Sequence, residues 1–272
     1  MSSERQRPAT ETPVDRETSR HAHFVLTRGD PTALSSSEEP AGTSAPNEHT
    51  LDLLYSSSPY ADFDLDAHPD DMQGWNSYAN VFRDLIEQVR PRRIIEVGVW
   101  KGTCSIHMAK IVRDLGLRCE IVCVDTWLGS PEHVLAGHDH DRYKSLRLRH
   151  GYPQLFYTFL GNVIRNGVTE YVVPLPLTSE SAAVVLERIG LQADLIHVDA
   201  AHQYEPALRD FNAYWRLLSE RGILIGDDYL AKRSVTRAAD DFAASVERPL
   251  CACFPKFVIA RSDEIEFSIV NR

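Results

Sequence analysis

The sequence predicts a doubly wound α/β fold with a mostly parallel, seven-stranded sheet and a C-terminal antiparallel hairpin. Short runs of β-branched residues alternate with helix-length apolar patterns over most of the chain. Continuous apolar runs of this kind are typical of parallel strands that crossover helices cover on both faces. Each run ends at or beside Gly, Asp, Ser or Thr, the residue types that form turns and meet ligands at strand ends.

The elements follow in order along the chain. A helix is expected from Val81 to Val89, where apolar residues recur at helical spacing until Pro91 ends the pattern. Strand-like runs come next, at 92–99, 119–126, 171–177, 193–200 and 222–229. Helix-length patterns separate or follow them, at 106–115, 181–189, 208–218 and 235–246.

Two more strand-like runs, 254–261 and 264–271, complete the expected sheet. Only a Ser-Asp turn separates them, whereas a parallel connection needs a crossover of about a dozen residues or more. We therefore expect these two runs to pair with each other as an antiparallel hairpin.

Residues 1–50 are expected to form a disordered polar tail that precedes a folded domain of residues 51–272. About half of the tail is Ser, Thr, Pro and Glu, and its apolar cluster is limited to 24–26. Such a composition buries too little apolar surface to offset the entropy lost on folding. An arm that packs on a neighbouring subunit is the alternative role for this segment.

The composition argues against several classes of protein. The formal net charge of −10 disfavours nucleic-acid binding, which requires clustered Lys and Arg. No apolar run reaches the roughly 18 residues of a membrane span and no secretory signal is present, so we expect a cytoplasmic protein. The five cysteines include no C-x-x-C pair, which argues against a disulfide framework or a structural zinc site.

The loop after the first predicted strand has the pattern of a ligand-binding turn. Gly98 and Gly102 let the backbone pass close to a ligand, and Thr103 is placed to cap the next helix. Trp100 stands where a dinucleotide-binding loop needs glycine, and would obstruct a pyrophosphate. Asp125, at the tip of the next strand, is placed to accept hydrogen bonds from a ribose. Together these residues favour a nucleoside-containing ligand without a pyrophosphate.

Three aspartates, Asp199, Asp227 and Asp228, stand at the tips of two strands that are expected to be neighbours. Convergent carboxylates repel one another unless a cation joins them, and all-oxygen ligation suits Mg²⁺. The sequence thus predicts a Mg²⁺ site, with helix capping and turn formation as the alternative roles. His202 lies three residues beyond Asp199, and its side chain is suited to general-base chemistry at neutral pH.

The chain resembles the Mg²⁺-dependent, class I S-adenosylmethionine O-methyltransferases of antibiotic biosynthesis, in particular the macrocin and mycinamicin sugar O-methyltransferases. The resemblance is carried by EVGVWKG, VDTW, DAAH and GDDY, between about Gly74 and Phe267. It implies a Rossmann-like methyltransferase fold over residues 51–272. It also implies S-adenosylmethionine and Mg²⁺ as cofactors, and a hydroxyl of a natural-product sugar as the methyl acceptor.

The resemblance also assigns roles to individual residues. Those expected to contact the cofactor are Glu96, Gly98, Gly102 and Thr103 at its methionine end, Asp125 at its ribose, and Trp127 and Ser179 at its adenine. The expected Mg²⁺ ligands are Asp199, Asp227 and Asp228. His202 is the expected base, with Asp199 as the alternative base.

Other functions stay open at the level of the sequence. A catechol-type O-methyltransferase would use the same metal chemistry on a flat aromatic diol, and a cephalosporin-hydroxylase-like tailoring component would transfer no methyl group of its own. A nicotinamide dehydrogenase fits less well, because the glycine pattern differs. The acceptor pocket is expected from 60–76 and 128–159, with Gln73 and Trp75 as weaker candidates for a lid. We expect a homo-oligomer without nucleic-acid or membrane partners.

Overall fold

The computed structural model describes residues 22–29 and 45–271. Its strands are β1 (Ala22–Arg28), β2 (Arg93–Val97), β3 (Glu120–Val124), β4 (Val172–Leu175), β5 (Ala193–Val198), β6 (Leu218–Gly226), β7 (Cys251–Cys253), β8 (Lys256–Ala260) and β9 (Glu266–Asn271). Its helices are α1 (Glu48–Leu54), α2 (Asn80–Val89), α3 (Thr103–Asp114), α4 (Pro131–Leu135), α5 (Asp141–Lys144), α6 (Leu155–Arg165), α7 (Ser179–Arg188), α8 (Tyr204–Trp215) and α9 (Arg233–Ser245). Each predicted run or helical pattern overlaps one of these elements.

A seven-stranded sheet in the order β4-β3-β2-β5-β6-β8-β7 forms the centre of the domain. The first five strands in this order run parallel, and β8 and β7 continue the sheet antiparallel. Helices α2, α3 and α6 pack on one face and α7, α8 and α9 on the other, against apolar side chains that alternate along the strands. The predicted doubly wound α/β class is confirmed. Among the described residues, no helix has both the length and the apolar composition needed to cross a bilayer.

The strand order reverses at β2. The chain continues outward from β2 to β3 and β4, and then returns to place β5 on the other side of β2. Ligands of open α/β sheets bind outside the carboxyl ends of the strands at such a reversal. Val97 of β2 pairs with Val124 of β3 and with Val198 of β5, so the loops after these three strands begin side by side.

A C-terminal antiparallel hairpin is present, but its strands are β7 and β8. β8 pairs with β6 along one edge and with β7 along the other, which leaves no edge to which β9 could add. β9 pairs instead with β1, in a separate two-stranded sheet. The prediction that 254–261 pairs with 264–271 is therefore wrong.

Strand β1 is part of the folded domain, so its assignment to a disordered tail is wrong. One edge of β1 pairs with β9, and side chains of α2 bind the other edge. Asp84 accepts hydrogen bonds from the Phe24 N–H and from His23 Nδ1, both at 2.9 Å. Gln88 accepts from the Leu26 N–H at 2.8 Å and donates to the Phe24 carbonyl at 2.9 Å. The apolar cluster 24–26 thus packs on its own domain.

The end of the predicted tail, 45–50, is folded as well. Asn47 is buried, and its side-chain amide donates to the carbonyls of Thr169 and Val172 at 2.8 and 2.9 Å. These bonds fasten the start of α1 to the edge strand β4. The remaining predicted tail residues, 1–21 and 30–44, lie outside the described residues.

Phe24→Ala should lower the free energy of unfolding by about 3 kcal/mol, because the Phe24 ring is buried in the apolar core. Chemical denaturation followed by circular dichroism measures the change. Val184→Ala, at an exposed position of α7, is the control and should change stability by less than about 0.5 kcal/mol. Equal stability of Phe24→Ala and the wild type would contradict the docking of β1.

Candidate functional site

A cavity of about 570 Å³ opens at the carboxyl ends of β2, β3, β5 and β6. The loops after these strands form its walls, together with parts of 73–77 and 129–142. The predicted site residues that line it are Glu96, Gly98, Thr103, Asp125, Ser179, Asp199, His202, Asp227 and Asp228. Gln73 and Trp75, the lid candidates, also line it, whereas Gly102 and Trp127 do not.

Gly98 brings the tips of β2 and β5 into contact. Its φ of 86° is a left-handed conformation that disfavours other residues. A Cβ atom on Gly98 would lie 2.0 Å from the carbonyl oxygen of Asp199, a separation that no side chain tolerates. The absence of a side chain therefore allows the turn after β2 to lie directly against the acidic strand tip of β5.

The start of α3 is tied to the segment 71–77. Gly102 is the N-cap of α3, and the Thr103 hydroxyl donates to the carbonyl of Met72 at 2.8 Å, so the prediction that Thr103 caps this helix is wrong. Lys101, which is buried, donates to Asp71 at 2.5 Å and to Gln73 Oε1 at 2.9 Å. These bonds place Gln73 at the cavity wall, and a lid function for the segment stays a prediction.

Asp125 faces the cavity and also braces the turn after β2. Its Oδ2 accepts from the N–H groups of Val99 and Trp100, both at 2.9 Å, and its Oδ1 accepts from the Trp127 N–H at 2.7 Å. Burial raises the pKa of Asp125, and these three hydrogen bonds oppose the rise. A ribose would therefore meet a carboxylate that the backbone already holds in place.

Trp127 is not part of the cavity wall, and its expected contact with an adenine stays a prediction. Its ring is 1% exposed and packs on Phe159 at 4.8 Å, and its Nε1–H donates to the carbonyl of Trp100 at 2.8 Å. The aromatic surface of the cavity is instead Trp100, which stacks on His133 at 4.3 Å and lies 6.3 Å from Trp75. From the sequence, Trp100 was expected only to obstruct a pyrophosphate.

Asp199, Asp228 and His202 form one acidic group on the cavity side. One carboxylate oxygen of each aspartate and one ring nitrogen of His202 lie within 4.8 Å of one another. His202 Nε2 lies 3.0 Å from Asp228 Oδ2, and His202 Nδ1 lies 4.0 Å from Glu132 Oε1. The hydrogen bond to Asp228 raises the pKa of His202 in spite of partial burial. Burial and the nearby Asp227 raise the pKa of Asp199 well above its usual value.

Asp227 also lines the cavity and lies beside Asp199, but it forms a second group with Asp199 and His197, so the three aspartates are not a single set of ligands. Its Oδ1 accepts from the Asp228 N–H and its Oδ2 from Lys256 Nζ, both at 2.7 Å. Its other near neighbours are His197 and Asp199, within 4.8 Å. Burial alone would raise the pKa of Asp227, but the Lys256 ammonium, His197 and the Asp228 N–H together outweigh burial and lower it. The strand tips therefore meet as predicted, and the carboxylates divide between two groups that share Asp199.

A buried chain of polar side chains runs from Asp227 back to Glu96. Lys256 Nζ lies 3.1 Å from His197 Nε2, and His197 Nδ1 lies 3.2 Å from Glu96 Oε1. An ammonium only donates, so His197 Nε2 accepts and its Nδ1–H donates to Glu96. The second Glu96 oxygen accepts from the Ser105 hydroxyl. Both oxygens of Glu96 thus have partners within the domain, while its carboxylate still lines the cavity.

Asp210 of α8 lines the cavity beside Ser179 and was missed by the sequence analysis. It is 3% exposed, and burial raises the pKa of Asp210 to about 6, although a hydrogen bond with Ser179 opposes the rise. Because Asp210 lies within a helical pattern, nothing in the sequence marked it as a cavity residue. Lys256 was not predicted either: Gly226 of β6 pairs with Phe257 of β8, and this antiparallel register, which the sequence did not predict, places Lys256 opposite Asp227.

Residues 95–229 match the family described as methyltransferase domain. This segment is a methyltransferase domain. It contains the turn after β2, Asp125 and the whole acidic group, so the expected methyltransferase class is confirmed. Lys256 and the strands β1, β7, β8 and β9 lie outside the matched residues.

The chain is similar to several other proteins. It is 28% identical to the uncharacterized protein y4gI of Sinorhizobium fredii over 144 residues, which is 53% of this chain and only 14% of that protein's length. A Staphylococcus aureus structure assigned as a caffeoyl-CoA O-methyltransferase has a TM-score of 0.50 at 12% identity, over 79% of this chain and 97% of that one. The O-methyltransferase NovP has a TM-score of 0.49 at 23% identity, over 66% of this chain and 78% of that one. The S. aureus likeness supports the fold.

Asp210→Asn should stabilise the domain at pH 8 by about 3 kcal/mol, because the raised pKa of Asp210 means that ionising this buried carboxyl costs stability. The folded state holds the proton more tightly than the unfolded state, so this cost grows as the pH rises from about 4 to about 6 and levels off above that. Urea denaturation at pH 4 and pH 8 measures it. The advantage of Asp210→Asn should vanish at pH 4, and exposed Asp139→Asn should show none at either pH. An advantage that is independent of pH would refute the assignment.

Proposed function

We propose that this domain is an S-adenosylmethionine-dependent O-methyltransferase that methylates a hydroxyl of a natural-product sugar with the help of a divalent cation. One observation carries the proposal: a glycine turn suited to a nucleoside and a carboxylate–imidazole group line the same cavity. The contact of Gly98 with Asp199 puts the two side by side. Methyl transfer requires this proximity, since the donor and the acceptor oxygen must meet in line.

The cofactor would occupy the part of the cavity next to β2 and β3. When bound, S-adenosylmethionine supplies an electrophilic methyl group on its sulfonium. Glu96 and the backbone at Gly98 would face its methionine end, Asp125 its ribose and Ser179 its adenine. The Asp125 carboxylate would orient the ribose of the cofactor without having to move, because three backbone N–H groups already hold this carboxylate in place.

The residues of the acidic group fit a divalent cation. Asp199 and Asp228 offer two carboxylates toward the cavity, and Mg²⁺ is commonly held by one or two carboxylates with water or substrate oxygens in its other positions. Burial first, and then the neighbouring carboxylates of Asp227 and Asp228, raise the pKa of Asp199, and a cation bound beside Asp199 would favour its ionised form. A cation bound there would act as a Lewis acid and make the acceptor hydroxyl more acidic.

His202 is the proposed base. Its Nε2–H donates to Asp228, which leaves the Nδ1 lone pair to take the proton of the acceptor hydroxyl. The imidazolium that forms lies between the carboxylates of Asp228 and Glu132, and both stabilise its charge. Asp199 is the alternative base, as its carboxylate lies in the same group.

A catechol-type acceptor is the second candidate. The stacked pair of Trp100 and His133 gives the cavity a flat aromatic wall, which suits a planar aromatic diol. Mass spectrometry of products from deoxysugar glycosides and from catechols, each with S-adenosylmethionine, distinguishes the two acceptors. The cytoplasmic location, the homo-oligomer and the lack of nucleic-acid and membrane partners stay predictions.

His202→Gln should lower kcat for methyl transfer by about 10² to 10⁴, the usual effect of removing a general base. Transfer of a labelled methyl group from S-adenosylmethionine to an acceptor measures the rate. His138→Gln, in a loop outside the cavity, is the matched control and should transfer at the wild-type rate. Wild-type kcat in His202→Gln would remove His202 from the reaction and favour Asp199 as the base.

Treatment with EDTA should abolish methyl transfer, and added Mg²⁺ should restore it. Asp199→Asn and Asp228→Asn should each need far more Mg²⁺ for half-maximal activity, because each loses a charged ligand. The exposed Asp139→Asn serves as the control. If the chelated wild type keeps full activity, the reaction does not depend on a metal and the proposed role of the acidic group is wrong.

A further inference from the structure

An ammonium group is buried beside the acidic group without being part of the matched methyltransferase segment. The Lys256 side chain is 2% exposed and that of Asp227 3% exposed, with 2.7 Å between Nζ and Oδ2. The Lys256 ammonium also lies 5.0 Å from the centre of the Phe82 ring. Its contacts with His197, Phe82 and Asp227 enclose Nζ on several sides, so it is a fixed charge.

We propose that Lys256 is a positioning residue: it is the permanent counter-ion of Asp227 and keeps that carboxylate out of the coordination of the divalent cation. The proposal rests on the cation of the proposed function. In this proposal Lys256, and not the bound cation, neutralises one of the three aspartates at the strand tips.

The geometry of Asp227 supports this role. Both of its oxygens have donors, the Asp228 N–H and Lys256 Nζ, each at 2.7 Å. A cation that displaced Lys256 from Asp227 would leave a buried ammonium without its carboxylate partner. Separating a buried ion pair in this way is strongly unfavourable, because the abandoned charge has no solvent to stabilise it.

The pairing of Asp227 with Lys256 limits the number of carboxylates that can bind the cation. With Asp227 held by Lys256, only Asp199 and Asp228 of the three remain, and their two negative charges match one divalent cation. Ligand charge count sets cation affinity in oxygen sites. A balanced site binds the cation moderately and leaves coordination positions for acceptor oxygens.

Lys256→Met tests the charge balance. The substitution keeps most of the side-chain volume, removes the positive charge and frees Asp227. Isothermal titration of the full chain with MgCl₂ should show roughly tenfold tighter binding than the wild type, since a repelling charge is lost and a carboxylate is gained. Lys110→Met is the matched control, because Lys110 pairs with Asn166 outside the cavity, and it should bind Mg²⁺ as the wild type does.

The double variant Lys256→Met/Asp227→Asn decides the role of Asp227, and it also avoids the unpaired carboxylate that could prevent Lys256→Met from folding. If Asp227 is only the counter-ion, removing both charges should return the Mg²⁺ affinity to within about twofold of the wild type. If Asp227 is a ligand, the double variant should bind at least tenfold more weakly, which would overturn the proposal. Unchanged affinity in a folded Lys256→Met would overturn it as well.

The same titrations separate this inference from the proposed function. A wild type that binds no Mg²⁺ yet transfers methyl groups would overturn the metal role and, with it, the inference. A wild type that binds Mg²⁺ and needs it for transfer, together with a weakened double variant, would overturn the inference alone.

Discussion

The site depends on the close approach of two strand tips. At Gly98 the backbone of β2 passes so near the Asp199 carbonyl that a single methyl group would clash, at 2.0 Å. Both strands are buried on two faces and paired with each other, so this contact cannot relax without disturbing the sheet. The central sheet thereby holds the turn after β2 and the acidic group after β5 at a fixed separation. Fixed positioning of the reactants accounts for much of the rate of a group-transfer enzyme.

Repulsion among clustered carboxylates can be relieved by a bound cation or by a basic side chain. From the sequence alone a cation was the predicted counter-charge, because only the acidic residues at the strand tips could be counted. The fold adds a lysine from a strand of opposite direction, and one of the three aspartates is neutralised inside the chain. Asp199 and Asp228 then keep a smaller excess of charge, which is shared with His202. An inference from acidic residues to a metal is therefore safer when the bases on the neighbouring strand are known.

Much of the fold was predictable, because apolar periodicity and crossover rules act locally and along the whole sheet. The convergence of Gly98, Asp125 and Asp199 also follows from parallel strand order alone. The directions in which side chains point cannot be deduced from the strand order. Trp100 and Trp127 both adopt left-handed backbone conformations, with φ of 54° and 52°, and these turns decide which indole faces the cavity. Likewise β7 has three residues, too few for a pattern, and without it the partner of β8 was assigned wrongly.

The pairing of β1 with β9 joins the two ends of the described chain. Thr27 bonds the carbonyl of Glu266, 239 residues away, and α2 holds the opposite edge of β1. During synthesis β1 emerges before the strands of the seven-stranded sheet, and its partner β9 emerges after them. A nascent chain that has completed the seven-stranded sheet but not β9 still presents an open strand edge, the kind of surface that pairs with other chains. Translation of β9 is thus the event that covers this edge against neighbouring chains on the polysome.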